Sequence, residues 1–279
     1  MIDTPLDSAL TLEATEDALS AVVDGEFSNG PVSAPPDAGF PFGGLLAAMA
    51  AQAMRKGLGI ARPLRTLSVQ YLAAARFNEP LTLRPRLLRG GRGVSYAALD
   101  VDQATGPRTR ATHHATATFG GDAETVDLAQ NTVTPPLALI DSGVEMSGPM
   151  SPRFSTHVDY RFEGAPRILG GNAGRVVTER LWMRMKGGRA LDEAGLCYLL
   201  DALYPPAWTA FPAPPMMTTV DLRYDLLGAP TPETAPDGWA FFEFRMLDLG
   251  HGWTVDEAIA WGADGRALAL SRQRRRLLV

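Results

Sequence analysis

The chain carries a single cysteine, Cys197, among 279 residues. It can form no intramolecular disulfide, and a reducing compartment fits it best. It also lacks any apolar run near the roughly 20 residues that cross a bilayer. The greasiest stretch, Phe42–Met54, stops well short of that. The N-terminus, MIDTPLDSALTLEATED, is acidic and has no basic region ahead of an apolar one. It therefore does not read as a secretory signal. Together these absences predict a cytoplasmic protein without a membrane span. There is no excess of positive charge either: 26 Lys and Arg face 31 Asp and Glu, a net charge of −5. A nucleic-acid binder usually shows a basic face. No Gly-x-Ser-x-Gly elbow is present, which counts against an α/β-hydrolase. A Walker loop, a His-Glu-x-x-His helix and a cysteine pair are also missing. No cofactor and no metal are expected.

What is present is an ordinary globular composition, 46% hydrophobic and 20% charged. A chain of this length can bury a sizeable core as one large domain or two normal ones. Ala34-Pro35-Pro36-Asp37-Ala38-Gly39 reads as a loop. A helix is predicted to begin near Phe42-Gly43-Gly44 and run to about Lys56, with Gly57 and Gly59 marking its end. Its many alanines suit close packing against a sheet. Four strands should follow: Leu64–Ala73, Pro80–Arg89, Val94–Asp102 and Arg108–Phe119. Residues 121–174 are rich in Pro, Ser and Gly and read as a connector, with a strand near Val176–Met185 beyond it. A second helix is predicted over Arg189–Leu203, from the stripe Leu196, Leu199, Leu200, Leu203, with Pro205-Pro206 as its stop. Strands at Met217–Leu226, Trp239–Leu247, Trp253–Trp261 and Ala267–Leu278 complete the chain.

The halves repeat one another. The same interval separates Gly91 from Gly106 and Gly250 from Gly265, and TLSVQYL from Thr66 aligns with TVDLRYDL from Thr219. A repeat this long is a duplicated domain rather than a solenoid unit. Residues 1–120 and 175–279 are the predicted domains. Helix then antiparallel meander, twice over, suits a nearly all-apolar helix wrapped by a curved sheet.

GFPFGGLLAAMAAQA and the following RTLSVQYLAAARFNEPLTLRPRLLRGGRGVSYAALDV resemble the central helix and strands of the acyl-CoA thioesterase II family. LCYLLDALYPPAW, TTVDLRYDL and ADGRALALSRQ are similar to the three segments that carry that family's catalytic residues. The resemblance covers roughly residues 35–120 and 185–279. It implies an α+β double hotdog, two repeats of a helix wrapped by a curved antiparallel sheet. It also implies hydrolysis of an acyl-CoA by a water that an Asp, a Thr and a Gln position. Segment by segment these fall on Asp201, Thr219 and Gln273.

The residue chemistry is compatible with those roles. Asp201 follows a greasy stretch, and burial would raise its pKa toward that of a general base; on the residues alone a solvated acid near the helix end is an equal reading, and the resemblance favours the site. A threonine hydroxyl and a glutamine amide both donate and accept, so they can orient a water without taking its proton. As an ordinary strand residue Thr219 would be unremarked. Asp221, two residues on, is the reserve acid. His114 lies as far beyond Gly106 as Gln273 lies beyond Gly265. It is therefore a candidate substrate-binding residue, or a satisfied structural histidine, with His113 facing the other way. The first half offers only Ala50 or Gln52 opposite Asp201, so one working site is expected, in the second half. Gly43-Gly44 and Gly187-Gly188 are candidate oxyanion sites at helix starts, or plain tight turns. Cys197 should be an inert core thiol. The run Arg272–Arg276 could touch coenzyme A phosphates, but charge on the outward face of a terminal strand is the blander account.

Two readings compete: an acyl-CoA thioester hydrolase, and a non-catalytic acyl-CoA-binding double hotdog. A hotdog hydratase or dehydratase is a third reading, but the sequence shows no paired His and acid in one segment to support it. A homodimer or higher homo-oligomer is compatible with sheet edges that need covering.

Overall fold

A computed structural model describes residues 4–129, 131–146, 148–170 and 178–278. The chain divides into two compact units, Met1–Asp127 with Gly148–His157, and Leu128–Ser147 with Val158–Val279. Among the described residues no helix is long and apolar enough to cross a membrane.

The first unit opens with α1 (Pro5–Ala9), β1 (Glu13–Ala14) and β2 (Leu19–Val22). Then come α2 (Gly43–Leu58), β3 (Leu64–Tyr71), β4 (Pro80–Gly90), β5 (Val94–Thr105) and β6 (Arg108–Gly120). The strands form an antiparallel sheet in the order β1-β2-β4-β5-β6-β3. From Gly44 to Met54, α2 is buried at every position except Gln52, as a helix wrapped by a sheet requires. Each fully buried Leu or Met there contributes about 2 kcal/mol. Leu67, Val69, Leu81, Leu83, Leu99, Val101, Ala115 and Ala117 alternate along the strands and are buried. Gly57 lies inside α2 rather than ending it. A Cβ there would come within 2.5 Å of Pro85 Cγ, so the glycine permits close helix–sheet contact. The helix ends at Gly59, left-handed at φ 61°, whose N–H reaches the carbonyls of Arg55 and Lys56.

The second unit comprises α3 (Leu139–Ser142), β7 (Val158–Phe162), β8 (Thr178–Met185) and α4 (Glu193–Leu199), then β9 (Met217–Leu226), β10 (Ala240–Gly250), β11 (Trp253–Trp261) and β12 (Ala267–Leu277). Its strand order is β9-β12-β11-β10-β8-β7. The sequence expectation began β8 at Val176, which lies outside the described residues. Helix α4 is much shorter than Arg189–Leu203. Asp192 caps it by accepting from the Gly195 N–H at 2.7 Å, and Arg189 grips that carboxylate with both Nη atoms. Beyond Leu199 the chain tightens into a turn, with the Asp201 N–H reaching the Tyr198 carbonyl.

The stretch expected to be a connector is structured. It contributes β7, which pairs with β8, and a segment that covers the outer face of the second sheet. There Trp182, Trp239, Phe241, Ile259 and Trp261 form a cluster packed by Val133, Leu139 and Ile140. Trp182 Nε1 donates to the Pro136 carbonyl at 3.0 Å and Trp261 Nε1 to that of Asn131 at 3.3 Å. This sheet is apolar on both faces, so residues 131–140 are needed to cover one of them.

The registers compare the two units residue by residue. In the first, Leu99, Ala115 and Val69 lie side by side on β5, β6 and β3. In the second, the matching row on β11, β12 and β9 is Asp256, Gln273 and Leu222. Gln273 thus corresponds to Ala115, not to His114. Two residues join β5 to β6, but residues 262–266 join β11 to β12, so counting from Gly106 and Gly265 misses the register by one.

Candidate active site

Five buried polar residues of the second unit, Asp201, Thr254, Asp256, Ser271 and Gln273, lie close together. Asp201 is 7% exposed, Gln273 4%, Asp256 5% and Thr254 fully buried. Asp201, Asp256 and Gln273 line a small open cleft whose walls also include Leu200, Ser271 and Arg275. Two neighbouring rows of the sheet supply all of these but the turn residues Leu200 and Asp201 and the β12 residue Ser271: Asp256–Gln273–Leu222, and Thr254–Arg275–Thr219.

Thr219 is aimed into this cluster by a β-bulge. Arg274 pairs with Asp221 and Arg275 with Thr219, which leaves Val220 unpaired. Leu222 and Tyr224 are buried on the inner face. Strict alternation from them would turn Thr219 outward; the extra residue turns it in. The same bulge overturns the expectation for Asp221, which is exposed and does not share Thr219's face.

Asp201, Thr219 and Gln273 converge. Gln273 Nε2 donates to Thr219 Oγ1 at 2.7 Å. Arg275 joins them: its Nη1 donates to Thr219 Oγ1 at 3.3 Å, its Nη2 to Gln273 Oε1, and Nη2 lies 3.6 Å from Asp201 Oδ1. Arg275 Nε donates to Asp256 Oδ2 at 2.8 Å, and Thr254 Oγ1 to Asp256 Oδ1 at 3.2 Å. Ser271 Oγ donates to the Leu200 carbonyl at 3.2 Å, which ties β12 to the turn that carries Asp201.

Sequence reasoning missed Asp256 and misplaced Arg275. The strand β12 is not terminal, since β9 and β11 flank it. Arg272 and Arg274 do face outward, with Arg272 on Glu257 at 3.1 Å. Arg275 faces inward, two residues beyond Gln273, and period two could have found it. Gly187-Gly188 do not open a helix. They are exposed, with φ of 83° and 71°, in a turn ahead of the Asp192 cap. Gly43-Gly44 do open α2, and the Gly43 carbonyl accepts from Tyr71 Oη at 2.8 Å. His114 points to the outer side of β6, with Nδ1 at 2.7 Å from Asp100 Oδ1. Cys197 is fully buried, and burial pushes its thiol pKa up, as suits an inert thiol.

His113 takes the inner face, 1% exposed, and burial lowers its pKa to about 4, with His114 adding a smaller repulsion. Its Nδ1 is 3.1 Å from Thr112 Oγ1, and its Nε2 has no partner among the described residues. Between about pH 4 and 6.5 the unfolded chain binds a proton at this residue that the folded chain refuses. Stability is therefore complete above about 6.5 and falls as pH drops. Acidifying from pH 7.5 to 5 is expected to cost about 2 kcal/mol from this residue. In urea melts at the two pH values, His113→Phe should lose that increment; an unchanged pH slope would refute the assignment.

Residues 127–275 match the acyl-CoA thioesterase C-terminal domain, and residues 32–120 the acyl-CoA thioesterase N-terminal domain. The chain belongs to the acyl-CoA thioesterase family. No curated protein matches it. Among solved structures, this thioesterase-family chain is similar to a conserved protein of unknown function with a hot dog fold from Alicyclobacillus acidocaldarius. The two are 21% identical over 98% of each chain, with a TM-score of 0.81. It is also similar to a candidate thioesterase II from Thermobifida fusca, at 20% identity over 100% and 99% of the chains and a TM-score of 0.81. An acyl-CoA thioesterase II from Mycobacterium marinum follows at 15% identity, 98% of both chains and a TM-score of 0.69. The likeness establishes a hotdog fold for this family member.

Proposed function

We propose that this protein hydrolyses an acyl-CoA thioester to the free acid and coenzyme A, with the second unit's cleft as its one active site. The observation that carries the reading is the meeting of Asp201, Thr219 and Gln273 from three separate elements, with Gln273 Nε2 at 2.7 Å from Thr219 Oγ1. In this reading Asp201 accepts a proton from a water held by the hydroxyl and the amide. The water oxygen bonds to the thioester carbon, and the carbonyl pair moves to oxygen. Collapse of that adduct expels the coenzyme A thiolate, which recovers the proton from Asp201.

We further read the two units as a duplicated hotdog whose first copy has lost the site. The shared order, β2-β4-β5-β6-β3 against β8-β10-β11-β12-β9, supports this. So does the apolar row Leu99–Ala115–Val69, which stands where the second unit has Asp256–Gln273–Leu222.

The test is release of free thiol from a panel of acyl-CoAs, short to long. Turnover at one chain length or more is the expected result. Well-folded protein that releases no thiol from any of them would sink the reading and favour a non-catalytic acyl-CoA-binding role.

A further inference from the structure

We infer that Arg275 is a positioning residue, anchored by Asp256, that fixes the amide of Gln273 and makes Thr219 a hydrogen-bond donor toward the cleft. This rests on the thioesterase reading of the same cleft. Both groups are largely withdrawn from water, their side chains 12% and 6% exposed. A buried guanidinium is tolerated where its N–H groups are spoken for. Here Nε, Nη1 and Nη2 are directed at Asp256, Thr219 and Gln273 respectively.

Each contact has a consequence. A guanidinium donates and never accepts, so it can face only the oxygen of the Gln273 amide. That turns Gln273 Nε2 onto Thr219; the flipped amide would set NH₂ against guanidinium. Thr219 Oγ1 then receives two donors, Gln273 Nε2 and Arg275 Nη1. With both lone pairs taken, its own O–H is left to donate, the sense needed to hold a water by its oxygen while the water's proton turns to Asp201. Asp256 does a second thing. It takes the close contact with Arg275 at 2.8 Å, while Asp201 stands 3.6 Å away, beyond hydrogen-bond length. Asp201 is thus held at ion-pair distance without a direct hydrogen bond from the guanidinium. Lysine could not replace this arrangement, because a single ammonium cannot reach along three diverging directions.

The experiment compares wild type, Asp201→Asn, Arg275→Ala and Arg275→Lys in the thiol-release assay. Arg275→Ala is expected to lower kcat roughly 100-fold with KM changed by less than about threefold. Arg275→Lys should not restore it, whereas millimolar guanidinium should partly rescue Arg275→Ala at matched ionic strength. A structural role alone would lower the melting temperature without a guanidinium-dependent kcat. If Arg275→Ala keeps kcat within about threefold of wild type while Asp201→Asn is inactive, the positioning claim falls and the thioesterase reading stands. Should wild type prove inactive, the thioesterase reading falls instead. The Gln273 side-chain amide resonances, assigned by their loss in Gln273→Glu, then decide the positioning claim. A change in them in Arg275→Ala supports it, and unchanged resonances overturn it.

Discussion

Asp201→Asn should lower kcat for acyl-CoA hydrolysis roughly 10³-fold, within the range that a positioned general base supplies. The substitution is nearly isosteric. It keeps an oxygen and adds a donor, but it removes the ability to take a proton at neutral pH. Arg275 keeps its shorter partner, since the 2.8 Å contact runs to Asp256. The Leu200 carbonyl keeps its bond to Ser271, so the turn that carries residue 201 has no reason to move. KM should change little, and acyl-CoA affinity by calorimetry should be preserved. Turnover within tenfold of wild type, in protein with an unaltered melting temperature, would show that Asp201 is not the base. A protein that binds acyl-CoA equally well in both forms and hydrolyses it in neither would be the binding module instead.

The second large effect is on stability. Trp182 is fully buried, its ring centroid lies 5.5 Å from that of Phe241, and its Nε1 holds the Pro136 carbonyl. Trp182→Ala removes that packing, opens a cavity and leaves the carbonyl without its donor. The expected loss is about 4 kcal/mol. For a protein of this size that is a fall in melting temperature on the order of 10 °C. Calorimetry checks it. A fall of one or two degrees would mean that residues 131–140 do not seal the outer face of the sheet.

These two substitutions also mark where the sequence was legible. Helix α2 could be read because its burial is nearly continuous and no polar stripe competes. The strands β9 and β11 begin and end where alternation and turn residues place them. The family resemblance led to Asp201, Thr219 and Gln273, and the fold brings the three together. Three things were hidden. Helix α4 was overdrawn because its apolar stripe runs on to Leu203 after the last helical hydrogen bond, from the Leu200 N–H to the Leu196 carbonyl; Leu200 and Leu203 are both buried, one at the helix end and one past the turn. The outer face of the second sheet was hidden because its cover, residues 131–140, looks like a linker. The signal was the tryptophans: Trp182, Trp239 and Trp261 need something to pack on the face opposite the cleft. Arg275 was hidden because four arginines in a short run read as solvated charge. Its parity with Gln273 was the clue.

The unpaired Val220 shows that this site is encoded partly as a count. Thr219 and Leu222 both face the core although three positions separate them, a parity that unbroken strand geometry forbids. The information therefore resides in the number of residues between the hydroxyl and the hydrophobic anchor as well as in their identities. Any comparison that scores residues column by column, without asking how many positions the strand spends in its bulge, can find the same threonine in another chain and assign it to the wrong side of the sheet.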